Sequence, residues 1–340
     1  MPTLDIFKTD AFTARALTAS INAREYLPGY IGRMGLFEAR PVATTGVWVE
    51  ERGDELTLVP NTPRGGSPEL LSQAARKRTA RSFQTLHLPK VDRITADEIQ
   101  DVRAFGSESE LQTMQMIVNE RMEQLARDID LTLEHLMLGC IKGTIVDADG
   151  STIYNLFTEF GVSQESEVDF DLDNALATTE TGALRQVCTD AVRTITRNCS
   201  GGLPQQIVGL CGDAFWDDLV NHPEVRGTYL NTMMASDLRG GTAWGEMTYG
   251  GIRFVNYRGT DDGTTHLCHT DKVYLFPVGV PGLFVMHFAP SNRIRTSYLG
   301  APFYAYQFVD PQERFVDVEV QSNPLPLCTK PKVLMLGKRT

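Results

Sequence analysis

The sequence predicts an α+β fold. Three observations carry that reading. An apolar stripe at helical spacing runs from Leu111 to Cys140. A turn signal follows that helix almost at once. Beyond it, short strand-like runs such as "QQIVGLCG" and "RFVDVEVQ" interleave with helices, without the regular period of a doubly wound sheet.

Residues 1 to about 45 carry scattered apolar residues broken by "LPGY" and "RMG". No period holds, so the segment reads as an arm that packs onto something else. In "GVWVEERGDELTLVP", Val47, Val49, Leu56 and Leu58 alternate as a half-buried strand pair does. Prolines and glycines in "NTPRGGSP" break the pattern. A basic cluster, Arg76, Lys77, Arg78 and Arg81, precedes the extended "SFQTLHLPKV". Gly46 to Arg93 therefore reads as a long two-stranded excursion with too few apolar residues for its own core. Such a hairpin is marginal in water unless another surface covers it.

Thr95-Ala96-Asp97-Glu98 and Ser107-Glu108-Ser109-Glu110 each fit a capping box. The first opens a short helix ending near Gly106, and the second opens the long one. In the long helix Leu111, Met114, Val118, Met122, Leu125, Ile129, Leu133, Leu136 and Cys140 recur by threes and fours. That spacing gives about eight turns, roughly 50 Å. The stripe spreads onto Met116, Ile117, Leu131 and Leu138, which is broader than a coiled-coil seam. The helix reads as a spine for other layers.

Asp147-Ala148-Asp149-Gly150 poses a choice between a calcium loop and a turn. The calcium loop needs a third acid before the glycine and a glutamate six residues after it. Position 156 is Leu. Asp first and Gly fourth suits a type I turn, with Ile145 and Val146 before it and Ile153 and Tyr154 after it. The reading is a hairpin. From Asp169, "DFDLDNALATTETG" is acidic and loop-like. Leu184, Val187, Ala191, Val192 and Ile195 mark an amphipathic helix, and "QQIVGLCG" a buried strand. Asp213 is placed as the cap of a helix carrying Phe215, Trp216 and Leu219, stopped at Asn221-His222-Pro223. Strands follow through Ile252, Phe254 and Val255, in "KVYLFPVGVPGLFVMHFAP" and in "RFVDVEVQ".

Composition excludes several classes of function. With 340 residues, 42% hydrophobic and 22% charged, the chain can bury a core and form roughly two domains. A net charge of −11 repels nucleic acid and anionic membranes. No apolar run approaches the ~20 residues a bilayer span needs. "MPTLDIFKTDAF" has charges where a signal peptide has its apolar region, so synthesis in a reducing cytoplasm is expected. Cys140, Cys188, Cys199, Cys211, Cys268 and Cys328 are dispersed and read as small buried apolar residues. There is no nucleophile elbow, phosphate loop or His-Glu-x-x-His. His266, Cys268 and His269 in "HLCH" could ligate zinc, but a structural site needs four ligands and no second pair is at hand. His135 and His87 read as packing or surface residues. The basic cluster lacks interleaved aromatics, so an acidic surface on another subunit suits it better than nucleic acid. No catalytic residue, cofactor or metal is assigned.

Six stretches resemble, in order, the lambda-type (gpE-like) phage major capsid proteins. They are "LVPNTPRGG", "ITADEIQDVRAFG", "GTIVDADGSTIYNLFTEFG", "GLCGDAFWDDLVNHPEVRGTY", "GGIRFVNYRG" and "QSNPLPLCTKPKVLM". The resemblance implies the Hong Kong 97-type capsid fold. Its parts would be an N-arm at 1–45 and an extended loop at 46–93. A peripheral domain would take 94–179 and 291–322, with its spine helix at 107–139 and the Asp147–Gly150 hairpin continuing its sheet. An axial domain and C-terminal segment would take 180–290 and 323–340. Contacts between copies would involve Tyr30, Trp48, Arg64, Arg76, Lys77, Arg78 and Arg81.

The implied function is a shell subunit that forms hexamers and pentamers of an icosahedral head around double-stranded DNA, assembled in the host bacterial cytoplasm. The implied partners are other copies, a separate scaffold protein (the segment before the arm is too short for a built-in one), a portal, and packaged DNA bound without sequence specificity. No membrane is involved. Relatives often carry a decoration protein, which this sequence does not specify, and no lysine–asparagine crosslink is expected. Two alternatives stand beside this reading: an encapsulin-like cargo compartment, and a metal-dependent hydrolase built on His266, Cys268 and His269.

Overall fold

The apolar stripe forms one continuous helix of 33 residues, Glu110–Lys142, in the computed structural model. The structure describes residues 13–22, 29–52, 78–95, 98, 110–173, 182–199, 202–230, 245–257, 268–293, 299–312 and 314–340. These fall into two compact units.

Unit 1 gathers residues 1–47, 84–137 and 285–327. Its main sheet is antiparallel in the order β13 (Tyr304–Val309), β14 (Phe315–Ser322), β4 (Leu88–Thr95). On β14, Val316, Val318 and Val320 are fully buried while Phe315, Asp317 and Glu319 face the other way, as a sheet with one covered side requires. The long helix, α3 (Glu110–Lys142), brings Val118, Met122, Leu125 and Ile129 to the core. Polar links tie it to β4. Lys90 pairs with Asp128, and Arg121 lies 3.4 Å from Asp92 and 3.1 Å from Glu98. The stripe is narrower than its composition indicates, because Met116 and Leu131 face solvent. A second sheet runs β1 (Glu38–Pro41), β12 (Phe284–Phe288), β15 (Pro324–Cys328), with β1 parallel to β12.

The segment expected as an arm, residues 1–45, contains two helices among its described residues. Among the described ones, α1 (Ala14–Asn22) buries Leu17 and Ile21 beside β13. The Thr18 hydroxyl bonds the Ala305 backbone, and Asn22 bonds Phe303. A short helix, α2 (Tyr30–Arg33), is held by buried Glu134, which accepts the N–H groups of Ile31 (2.7 Å) and Gly32 (3.1 Å). Leu17 and Ile21, one turn apart on the same face, meet β13, so α1 packs within unit 1.

Unit 2 gathers residues 48–83, 138–284 and 328–340. Its six-stranded sheet runs β7 (Val168–Asp169), β16 (Met335–Lys338), β11 (Lys272–Val278), β8 (Gln206–Cys211), β10 (Ile252–Asn256), β9 (Glu246–Tyr249). The central β8 and β11 are near-continuous apolar runs, the mark of strands covered on both faces. One cover is α5 (Ala183–Asn198), through Leu184, Cys188, Ala191 and Ile195. Another is α6 (Asp213–Asn221), whose Phe215 ring stands 5.3 Å from Phe170 and 6.3 Å from Phe254. Its N-cap is Gly212, not Asp213, which is already helical. Helix α7 (Pro223–Leu230) follows after His222.

The turn reading holds. Strands β5 (Thr144–Val146) and β6 (Thr152–Asn155) pair antiparallel, with Gly150 at φ +84 and its N–H on the Asp147 carbonyl at 3.0 Å. They form a two-stranded sheet of their own within unit 2 and do not extend the sheet of unit 1. A short helix, α4 (Leu156–Phe160), follows, capped by the Asn155 side chain on the N–H groups of Phe157 and Thr158. Such a cap contributes about 1 kcal/mol.

The excursion also differs from expectation. Its ribbon pairs β2 (Gly46–Arg52) with β3 (Arg78–Gln84) and stops there. Residues 88–95 belong instead to β4, because β14 offers them a full ladder of partners from Ser322 back to Phe315.

Candidate assembly surfaces

The ribbon is rooted before it can reach anything else. Phe83 is buried, its ring 5.5 Å edge-on to Tyr154 and 5.6 Å stacked on Phe160. Arg81 donates through Nη2 to the Phe160 carbonyl at 2.7 Å, with its guanidinium 5.5 Å from that ring. That carbonyl lies in the last turn of α4, where a cation satisfies an otherwise free acceptor. Arg81 thus serves its own unit. On the same ribbon Trp48 is 69% exposed. A large aromatic body left in water is the side chain type that anchors protein contacts.

The outward face of the unit 1 sheet is a second surface. Arg93 forks onto Asp317 (2.7 and 3.0 Å) and lies 3.7 Å above the Phe315 ring. Arg293 pairs with Glu319 and lies 4.2 Å from the Tyr306 ring. The Arg93–Asp317 pairing holds the guanidinium's pKa above its ordinary value. Exposed pairs of this kind add little stability, so their value is in fixing a polar pattern. On the flanking strands Phe308, opposite Asp317, and Val91, opposite Glu319, are each 55% exposed.

Of the residues placed at contacts from the sequence, Trp48 stands exposed and Arg81 is internal. Tyr30 is half-buried at the start of α2 with its hydroxyl enclosed. Arg78 opens β3, and Arg64, Arg76 and Lys77 lie outside the described residues. The second capping box, Ser107 to Ser109, lies outside them too. The outward sheet face was missed, although Phe315, Asp317 and Glu319 stand at every second position of a run already read as a strand.

Nothing in this geometry resembles a reaction centre. All six cysteines are free and buried. Burial pushes the Cys188, Cys268 and Cys328 thiols up to about 12, far from nucleophilic. Cys268 is packed in the core ahead of β11, and His266 lies outside the described residues. Among the described residues no three His, Cys, Asp or Glu side chains gather as a metal site. Neither is any described helix long and apolar enough to cross a membrane. A cavity of about 270 Å³ in unit 1 is lined by apolar side chains such as Ile21, Ile31, Phe37, Leu133 and Phe303, with no acid or base on its wall.

A family model described as phage major capsid protein E matches residues 13–339. The chain belongs to that family. Two relatives named major capsid protein are similar to it. The protein of Salmonella phage Felix O1 (isolate Felix O1-VT1) is 28% identical, covering 94% of each chain. That of Pseudomonas phage KPP10 is 24% identical, covering 91% of this chain and 92% of the relative. A crystal structure assigned as a prophage capsid protein of E. coli CFT073 superposes with a TM-score of 0.59 over 96% of this chain and 99% of that one, at 12% identity. The phage major capsid protein E family has the Hong Kong 97-type fold, and the chain is a structural, non-enzymatic subunit that oligomerises into capsid shells. It is part of the virion capsid, which sets aside the hydrolase and favours the phage head over a cargo compartment.

Proposed function

We propose that this capsid protein builds hexamers and pentamers of an icosahedral head that encloses double-stranded DNA. The exposed Trp48 on a ribbon whose root is locked by Phe83 and Arg81 carries the reading. A rooted strand pair that holds a large aromatic side chain in water gains stability when a neighbour covers it, at about 25 cal/mol per Å² of apolar area. In this reading unit 1 is the peripheral domain, and residues 183–284 with 328–340 of unit 2 form the axial domain. A separate scaffold protein and a portal take part, DNA is held without sequence specificity, and assembly proceeds in the host cytoplasm. The outward sheet face bearing Phe308 and Val91 is where a decoration protein would sit. An acidic wall suits this content, since it does not adsorb the genome. Electron microscopy of the purified protein with its scaffold partner tests the reading. Closed shells are expected, and compact monomers under every assembly condition would overturn it. Deleting Pro63 to Ala75 should leave a folded subunit whose shells are fewer or less heat-resistant. Shells matching wild type would remove the loop from assembly.

A further inference from the structure

The two ends of the six-stranded sheet carry opposite charge. At the β7 end, Glu165, Glu167, Asp169, Asp171 and Asp173 occupy every second position, alternating with Val168, Phe170 and Leu172, of which Phe170 and Leu172 are buried. Around the two-residue strand Glu167, Asp169, Asp171 and Asp173 are exposed while Phe170 and Leu172 turn inward, and the chain leaves the extended form at Asp171, at φ 49. Three lysines face them. Lys272 pairs with Glu167, Lys332 lies 3.7 Å from Glu165, and Lys338 lies 2.9 Å from Asp169. Five acids against three bases leave this flank negative.

At the β9 end the balance reverses. Arg253 on β10 pairs with Glu246 on β9. Arg185 on α5 stands beside the β9–β10 turn, where its backbone oxygen lies 3.7 Å from the Cβ position of Gly250. Exposed Arg226 follows on α7, which is joined to this flank by the bond from the Tyr249 hydroxyl to Glu224. Among the described residues these three arginines outnumber Glu246 and the buried Glu224, which makes this flank positive.

We infer that copies of this chain pack side by side through unit 2, the acidic β7 flank of one copy against the arginine flank of the next. The inference rests on the shell-subunit reading and names the surfaces that reading uses. Like flanks facing each other would repel, which disfavours a two-fold pairing through either end. Unlike flanks meet head to tail, and a head-to-tail contact repeats until it closes a ring. Among the described residues neither sheet end carries a further strand, and charge at an edge blocks indiscriminate strand addition while permitting one chosen neighbour.

Charge reversal followed by rescue tests this. Three full-length variants are made: Glu167→Lys with Asp173→Lys, Arg185→Glu with Arg226→Glu, and all four together. Asp171 is left alone, because its φ of 49 suits Asp better than Lys. Assembly is read by native mass spectrometry and electron microscopy at low and high salt. Each two-site reversal should raise the concentration needed for ring assembly by about tenfold or more, and the four-site variant should return it close to wild type. Mixing the two two-site variants should give only rings with an even number of copies, because reversed and native flanks must alternate. Should a reversal unfold the subunit, the neutral set Glu167→Gln, Asp173→Asn, Arg185→Gln and Arg226→Gln takes its place. That set should remove the salt sensitivity of wild-type assembly. Reversals that assemble like wild type, or losses that the four-site variant does not rescue, overturn the flank pairing. If wild type meanwhile forms closed shells, the shell-subunit reading stands without it. Wild type that stays monomeric overturns both.

Discussion

Removing the Glu224 carboxylate should loosen unit 2 at one identifiable place. Helix α5 begins after Gly182, a residue at φ 75 that has no side chain to cap it. Glu224, 6% exposed on α7, supplies the missing acceptor. Its Oε1 takes the Ala183 N–H at 2.9 Å, and its Oε2 takes the Arg185 N–H at 3.4 Å and the Tyr249 hydroxyl at 3.2 Å. Loss of an N-cap costs about 1 kcal/mol. A buried hydroxyl deprived of its acceptor costs about 1–3 kcal/mol more. Glu224→Ala should therefore destabilise unit 2 by about 2–4 kcal/mol. Glu224→Gln keeps an acceptor and the shape but loses the charge beside a helix N-terminus, and should cost about 1 kcal/mol. The assay is urea denaturation of unassembled subunits, with hydrogen exchange at the Ala183 and Arg185 amides as the local readout. Glu224→Ala within about 0.5 kcal/mol of wild type, with those amides still protected, would refute the capping argument.

Three further outcomes are expected. Phe83→Ala should cost about 3–5 kcal/mol and free the ribbon root, seen as faster proteolysis within residues 46–84; unchanged cleavage would contradict the Phe83–Phe160 anchor. Gly143→Ala should destabilise the hairpin by more than about 2 kcal/mol, since Gly143 sits at φ +80 and a Cβ would lie 2.2 Å from the Phe157 ring; a neutral thermal melt would contradict it. Burial, aided by the nearby Arg40 charge, lowers the pKa of His287 below its ordinary 6.5. The unfolded chain then takes up the proton first as pH falls through 6.5, so stability is full above that value and declines below it. The denaturant midpoint should drop between pH 7 and pH 5.5, and His287→Gln should flatten that slope. An identical slope in the variant would show that His287 is not its source.

The parts legible in the sequence are those whose cause is local. Val118 to Cys140 repeat on one helical face, and Asp147 to Gly150 suffice to turn a chain, so both emerge where the residues place them. Strand β4 was read as the far end of the two-stranded excursion because only Ile94 in it is fully buried; its register comes from β14, more than two hundred residues away. The acidic stretch from Asp169 was read as loop-like, and its described residues 170–173 form no strand or helix, although Phe170 and Leu172 are buried. Arm residues Leu17 and Ile21 are too few to announce a helix until β13 is beside them. Glu224 could not have been found at all, since nothing in "HPEVRG" distinguishes a buried cap from a solvated acid. At the assembly surfaces, Trp48 was accessible to sequence reading, whereas the fate of Arg81 depended on where the Phe160 carbonyl came to rest.

The enclosed thiols bear on life outside the cell. A virion in air and peroxide carries six thiols per copy, each buried and with its pKa raised by that burial, so each is held in the unreactive protonated form. Such a coat needs neither a reductant to keep it intact nor a disulfide to lock it, and its ageing should be set by methionines at the surface such as Met116.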